Sequence, residues 1–456
     1  MNPVGYHLLG IGGIGMSALA YLLIELGYPV SGLDAKETDS TRALMAKGAD
    51  IFIGLDAPIP AGRTVSYSTA IPEDHPSLQA AKQQQLSLLH RSQLLAELFV
   101  SKKPLLVAGS HGKTSTAALL SHTLQAAGLD PSFAIGGISP SLGQNGKPGA
   151  GELFVVEADE SDGSFLNYHN FAAIITNIDD DHLDYWQTKE KLIEGFQTFI
   201  AQIAPPPLLF WCADDPILTA LSPPGTSYGT SKEATLRLTA VTQQGDTLKL
   251  TLATAASPCV SFTLPLIGNH QALNATAVVG IARALGLLDS QIQAAFQTFR
   301  GIKRRLEKKG EIAGIAVYDD YAHHPTALAK TVAALKAVNQ NRRLVAIFEP
   351  HRFSRMKKFK QAFISSLTRA DLVIVTDIFA AGEKPLKKVT ATDFCQVMNQ
   401  TRREQAIYIP RADLLSFIPL LLRPGDVVVT LGAGGITYLG AKLLDMLGYL
   451  QRAKPL

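Results

Sequence analysis

Three loops carry the side chains that could do chemistry, and each lies between a strand-like and a helix-like stretch. The first is Gly10-x-Gly12-Gly13-x-Gly15, with Asp34 at the end of the next strand-like run. Glycines there allow a tight turn and close backbone approach, and the helix that follows turns its N-terminus toward a diphosphate. Such a loop reads the diphosphate and not the rest of the ligand. A nicotinamide dinucleotide and a nucleoside diphosphate sugar both satisfy it, so an NAD-dependent oxidoreductase stays open at this point. The second loop is Gly109-Ser110-His111-Gly112-Lys113-Thr114, followed by Ser115. The strict eight-residue phosphate-loop spacing fails, because the position five before Gly112 is Val107. The working parts are nevertheless present: backbone amides at a helix start, a lysine for the β- and γ-phosphates, and a hydroxyl for Mg²⁺. ATP is the expected ligand. The third group is a pair of acidic clusters, Glu157-Ala-Asp159-Glu160-Ser-Asp162 and Asp179-Asp-Asp-His182-Leu-Asp184, each ending an apolar run. Carboxylates and one imidazole beside ATP suit a divalent cation, Mg²⁺ or Mn²⁺, which offsets charge on a phosphoryl group in transfer. A solvated acidic loop is the plain alternative for any one of these carboxylates taken singly.

Alternating elements must position these loops. YHLLGIG, a helix from Met16 to Leu26, PVSGLD, a helix around Arg42 to Lys47, ADIFIG and TVSYSTA give the βα rhythm of a parallel sheet. After Ser101-Lys-Lys-Pro104 a fresh strand, LLVAG, and a helix from Ser115 to Ala127 begin a second unit. That unit continues with LFVVEA and AAIITNI, apolar enough to be buried on both faces. Alternation about Gln244-Gly245-Asp246 then predicts an antiparallel hairpin within Leu236–Leu264, followed by a helix from His270 to Leu285. Beyond Gly301 the rhythm resumes in IAVYDDY, LVAIFEP, DLVIVTDIF and DVVVTLGAG. The fold class is therefore α/β in three parts, with expected bounds 1–101, 102–300 and 301–456.

Composition agrees with this division. A chain of 456 residues holds about three domains at ~150 residues each. Hydrophobic residues make up 46% and charged residues 18%, with 42 basic against 39 acidic side chains, which excludes disorder and charged tails as main themes. No apolar run is long enough to span a membrane, and the start lacks a secretory signal pattern, so the cytoplasm is the expected location. Cys212, Cys259 and Cys395 are odd in number and far apart, and read as buried thiols. The basic stretches Lys303–Lys309 and Arg352–Lys360 lack interleaved aromatics, which argues against a nucleic-acid partner. Whether the chain works as a monomer or a homodimer is not legible in it.

Taken together, GSHGKTS, EADESDGSF, TNIDDDHLDYW, GNHQALNATA, GIKRRLE, DDYAHHPT and FEPHRFSR occur in one order between residues 109 and 355. In that order they resemble the Mur ligases of bacterial peptidoglycan synthesis. The amino-terminal GIGGIGMSALA is similar to the UDP-sugar loop of the member that joins L-alanine to UDP-N-acetylmuramate. The resemblance implies a Rossmann-like UDP-sugar domain, a central ATPase domain and a Rossmann-like amino-acid domain. It also implies an ATP-dependent ligase acting through an acyl phosphate. A ligase adding a peptide, or another amino acid, to the same sugar is the nearest alternative. By the same resemblance, Gly10, Gly12, Gly13, Gly15, Met16, Ser17 and Asp34 belong to the UDP-sugar site. Gly109 to Ser115, with Asn274, Arg305 and Asp320, hold ATP; Lys113 steadies its phosphates, and Thr114, Glu157 and His182 hold the cation. Tyr321, His351, Arg352 and Arg355 form the amino-acid pocket. Two positions depart from the family pattern, Gln271 and Gly435, and Lys189 and Lys191 receive no role.

Overall fold

The computed structural model describes residues 5–254, 257–401 and 405–453, and three sheets organise them. The first sheet is parallel, with strands in the spatial order Asp50–Ile53, Val30–Asp34, Tyr6–Leu9, Thr64–Tyr67 and Leu88–His90. Leu8 and Leu9 are fully buried at its centre. The central strand runs into the first glycine loop and the helix Ile14–Glu25, two residues earlier than Met16, because Gly13 already serves as the N-cap. The strand Leu88–His90 and the helix Arg91–Leu98 were not anticipated from the sequence. Three residues are too few to show alternation.

The second sheet has ten strands, and its middle places the chemistry. Lys103–Ala108 lies between Leu153–Glu157 and Asn170–Ile175, parallel to both. Val107 is opposite Glu157, and Ala108 is opposite Ile175. Both acidic clusters therefore leave the sheet at the same edge as the phosphate loop, one on each side of it, as the sequence pattern requires. The expected hairpin is present as Leu236–Gln244 and Thr247–Thr254, and a third strand, Ser257–Leu264, adds to it at the sheet edge. That edge strand corrects one expectation: Cys212 and Cys395 are buried, but Cys259 is exposed. Phe262 and Leu264 turn inward there, and alternation sends Cys259 to the opposite face.

The third sheet runs Glu307–Ile312, Ile315–Asp320, Val427–Leu431, Leu344–Phe348, Leu372–Val375, Ala406–Tyr408, antiparallel only at its first pair. Leu344, Ala346 and Phe348 pack into one core while Val345 and Ile347 pack into another, so the strand is covered on both faces. By compactness the chain forms two units. One comprises 1–241, 249–265 and 271–300, with the first two sheets; the other comprises 242–248, 266–270 and 301–456. No helix among the described residues is long and apolar enough to cross a membrane.

Candidate active site

The second glycine loop is shaped by its neighbours before any ligand is considered. Gly109 and Gly112 have φ of +125° and +87°, in the region that favours glycine, and a Cβ on Gly112 would stand 2.8 Å from Asn274 Oδ1. Asn274 in turn donates to Gln271 Oε1 at 3.2 Å, which gives the unexpected glutamine a job: it orients the amide beside the loop. The loop is also gripped by the end of the strand Asn170–Ile175. Asn177 Oδ1 accepts from the amide of His111 at 2.9 Å, Thr176 Oγ1 donates to the carbonyl of His111 at 2.7 Å, and His111 Nε2 lies 2.8 Å from Asp179 Oδ2. Sequence reasoning treated this segment as a source of cation ligands, and it missed Thr176 and Asn177 as the clamp that fixes the loop's carbonyls and amides.

Charge gathers at the start of the helix Lys113–Ala126. Lys113 Nζ donates to Glu160 Oε2 at 2.5 Å and to the carbonyl of Gly109 at 2.7 Å. Burial opposes the ammonium, but Glu160, Asp159 and Glu157 outweigh it and raise the lysine's pKa. Thr114 Oγ1 donates to Glu157 Oε1 at 2.9 Å, and the amide of Gly136 donates to Glu157 Oε2 at 2.5 Å. Of the expected cation ligands, Thr114 and Glu157 are thus brought into contact. His182 sits at φ +55° ahead of the short helix Leu183–Trp186, with Nε2 4.0 Å from Glu160 Oε1 and 3.7 Å from Asp181 Oδ2. Glu160 therefore stands between Lys113 and His182. Its side chain is 1% exposed and Oε1 makes no hydrogen bond. Glu160 was visible in the sequence only as one carboxylate of a cluster. Lys189 pairs with Asp180 and Lys191 donates to Gln187, so both unassigned lysines have surface partners.

The first glycine loop is different in kind. Asp34 Oδ2 accepts from the amide of Gly12 at 2.9 Å and Oδ1 from the amide of Lys36 at 3.2 Å, so this carboxylate shapes the loop itself. A Cβ on Gly12 would stand 2.8 Å from Thr41 and 2.9 Å from Asp34 Oδ2. The side chains of Met16 and Ser17 are buried; Ser17 donates its hydroxyl to Ile14 and its amide to Gly13. Helix N-termini carry orphan amides of the kind that suit an anion, and Ile14, Gly15 and Met16 open this helix.

In the other unit, Tyr321 lies under Arg304 and Arg305, 4.7 and 5.1 Å from ring centroid to guanidinium carbon. A file of rings continues through His323 to His351, which stacks on Phe379 at 5.6 Å. Arg355 Nη1 lies 3.3 Å from His351 Nδ1. Burial first, then Arg355 and Arg352, lower the His351 pKa to about 4, so the ring is neutral at pH 7. Arg352 caps the helix Phe353–Leu367 at φ +68°. Asp320 is buried, and its oxygens accept from the amides of Ala322 and Leu306, each at 2.7 Å; desolvation raises its pKa to about 6 against the pull of Arg305. The sequence departure at Gly435 also has a reason. A Cβ there would stand 2.5 Å from Arg411 Nη2, and Arg411 pairs with the buried Glu349.

Models of three parts of one family match in chain order: the Mur ligase family catalytic domain over residues 5–103, the Mur ligase middle domain over 107–282, and the Mur ligase glutamate ligase domain over 304–434. A UDP-N-acetylmuramate–L-alanine ligase of Protochlamydia amoebophila is 43% identical over 444 residues, covering 97% of this chain and 98% of that one. The chain belongs to the Mur ligase family. The solved UDP-N-acetylmuramate-alanine ligase of Thermotoga maritima superposes with a TM-score of 0.85 at 26% identity, covering 99% of this Mur ligase and 100% of that chain. A murein peptide ligase from Psychrobacter arcticus shares the fold, with a TM-score of 0.72 at 24% identity, covering 98% and 99% of the two chains.

Proposed function

We propose that this Mur ligase joins L-alanine to the lactyl carboxylate of UDP-N-acetylmuramate at the expense of ATP, with the first glycine loop holding the UDP-sugar and the second holding ATP. A carboxylate is a poor electrophile because its leaving group would be oxide. A carboxylate oxygen attacks the γ-phosphorus, ADP leaves, and an acyl phosphate results. The amine of L-alanine then attacks the carbonyl carbon, phosphate leaves, and the nitrogen loses a proton to give the amide. The observation that carries this reading is the buried ammonium of Lys113, held between Glu160 and the loop carbonyl of Gly109 at a helix start. It is placed to meet anions that must be pushed together.

The donor types suit Mg²⁺ or Mn²⁺: the hydroxyl of Thr114 and the carboxylate of Glu157 are in contact, and the His182 imidazole lies 4.0 Å from Oε1 of Glu160. Thr114, Glu157 and His182 would hold the cation, which supplies charge neutralisation for the transferred phosphoryl group. An oxidoreductase reading of the first loop leaves these groups without purpose. Asn274, Arg305 and Asp320 are assigned to ATP, and Tyr321, His351, Arg352 and Arg355 to the amino acid, where arginine forks suit an α-carboxylate. We divide the chain into functional parts at 101/102 and 300/301, in keeping with the edges of the matched family domains. The cytoplasm, which supplies ATP, is the assigned compartment. Phosphate release with UDP-N-acetylmuramate, ATP and Mg²⁺, measured across single amino acids and a tripeptide, tests the reading. L-alanine should give the highest kcat/KM, and turnover with the tripeptide alone would overturn the choice of substrate.

A further inference from the structure

Arg91 opens the helix Arg91–Leu98, on a segment with no chemistry-bearing motif. Its side chain is 16% exposed, and it joins two segments that belong to different sheets. Nη2 donates to Asp159 Oδ2 at 2.9 Å and to Ser164 Oγ at 3.3 Å, and lies 3.5 Å from Asp162. Asp159 stands between Glu157, which touches Thr114, and Glu160, which holds Lys113. The side chain also passes the first glycine loop. Arg91 Nη1 is 3.4 Å from where a Cβ on Gly15 would stand, at the first turn of the helix Ile14–Glu25. One part-buried cation therefore lies beside the first glycine loop with one nitrogen and holds the acidic segment that follows Glu157 with the other. Thr69, just past the strand Thr64–Tyr67, and His90, at the end of the strand Leu88–His90, approach Asp162 at 3.1 and 3.8 Å, so the acidic segment is held at more than one point.

We propose that Arg91 is a positioning residue that couples the two phosphate sites: a diphosphate seated on the first loop meets its Nη1 edge, and its Nη2 edge sets the Asp159–Ser164 segment that places Glu157 and Glu160 around Lys113 and Thr114. The inference rests on the UDP-sugar occupying the first loop. A planar fork is needed for this, since two edges must act at once, and lysine offers a single point charge.

The test compares the full-length enzyme with Arg91→Ala, Arg91→Lys and Asp159→Asn, by calorimetry with UDP-N-acetylmuramate and with an ATP analogue, and by kcat at saturating substrates. Arg91→Ala should weaken UDP-sugar binding about tenfold and also lower kcat about tenfold with all substrates saturating. Arg91→Lys should restore most of the affinity and little of kcat. Asp159→Asn retains the shape of the segment, and should lower kcat while UDP-sugar affinity stays within about twofold. Loss of affinity in Arg91→Ala with kcat unchanged would overturn coupling and leave a contact residue. A lowered melting temperature in all three variants, with affinities and kcat unchanged, would reduce Arg91 to an adhesive between sheets. Wild-type protein that fails to bind UDP-N-acetylmuramate at all would instead refute the assignment of the first loop, and these outcomes are separable because the unmodified enzyme is measured first.

Discussion

The two glycine loops begin from the same device, a strand ending in glycines and a helix offering unpaired amides, and they are furnished in opposite ways. Around Gly10–Gly15 the carboxylate of Asp34 is spent on the amide of Gly12, and no lysine or arginine projects from the loop sequence. The loop itself meets an anion with the positive end of a helix, about half an elementary charge, and the cation beside it, Arg91, comes from outside the loop and is already held by Asp159. Around Gly109–Thr114 a lysine, two glutamates and an aspartate are packed within hydrogen-bonding reach or close coulombic range of one another. The first arrangement suits binding, in which a diphosphate arrives and leaves unchanged. The second suits transfer, in which negative charge moves during the reaction and must be met by groups already in place. A shared motif thus says where phosphate sits, and its charged surroundings say whether phosphate is altered.

Removing charge from the second loop should have the largest effect. Lys113→Ala is expected to lower kcat by at least about 10²-fold, with UDP-sugar affinity by calorimetry within about threefold of wild type; equal losses in both would end the contrast. Glu160→Gln keeps a hydrogen-bond acceptor for Lys113 and removes its counter-charge. Here kcat should fall about tenfold without weaker binding of an ATP analogue, and a weaker analogue complex would show that Glu160 serves the nucleotide directly. Gly12→Ala alters only shape, pressing a methyl against Thr41 and Asp34. It should raise the KM for UDP-sugar about fivefold and leave saturated kcat alone; a fall in kcat would mean the first loop takes part in more than binding. The smallest effect is one of pH. Asp159 has a folded pKa of about 2, below its ordinary value of 3.8, so its contribution to stability is complete above the ordinary value and lost as pH falls through about 2. Melting curves of wild type and Asp159→Asn should therefore differ most near neutrality and converge in strong acid. A constant gap would remove the charge argument.

Much of this was legible beforehand because the chemistry sits at ends of regular elements. The strands that lead into Gly109 and Thr176 and the one that ends at Glu157 are largely apolar runs, and parallel topology sends their carboxyl ends to one edge. Lys113 and Thr114 follow from their types beside glycines at a helix start, although the strict phosphate-loop spacing fails at Val107. Three features were not legible. The part played by Glu160 depends on which of four carboxylates turns toward Lys113, a matter of loop conformation. Arg91 opens a short helix just after a three-residue strand, and its partners are 68 to 73 residues away. Cys259 read as buried from its type and is exposed, since its face of an edge strand was set by register, which composition does not reveal.

The contact between Gly435, Arg411 and Glu349 has an evolutionary corollary. Because the far end of the Arg411 side chain occupies the volume that a side chain at 435 would claim, and pairs with the buried Glu349, substitutions at these three positions are coupled. Among descendants, a bulkier residue at 435 should arrive together with a shorter one at 411 and a neutral one at 349. A lineage that lost the arginine first would carry the Glu349 carboxylate sealed in without this partner.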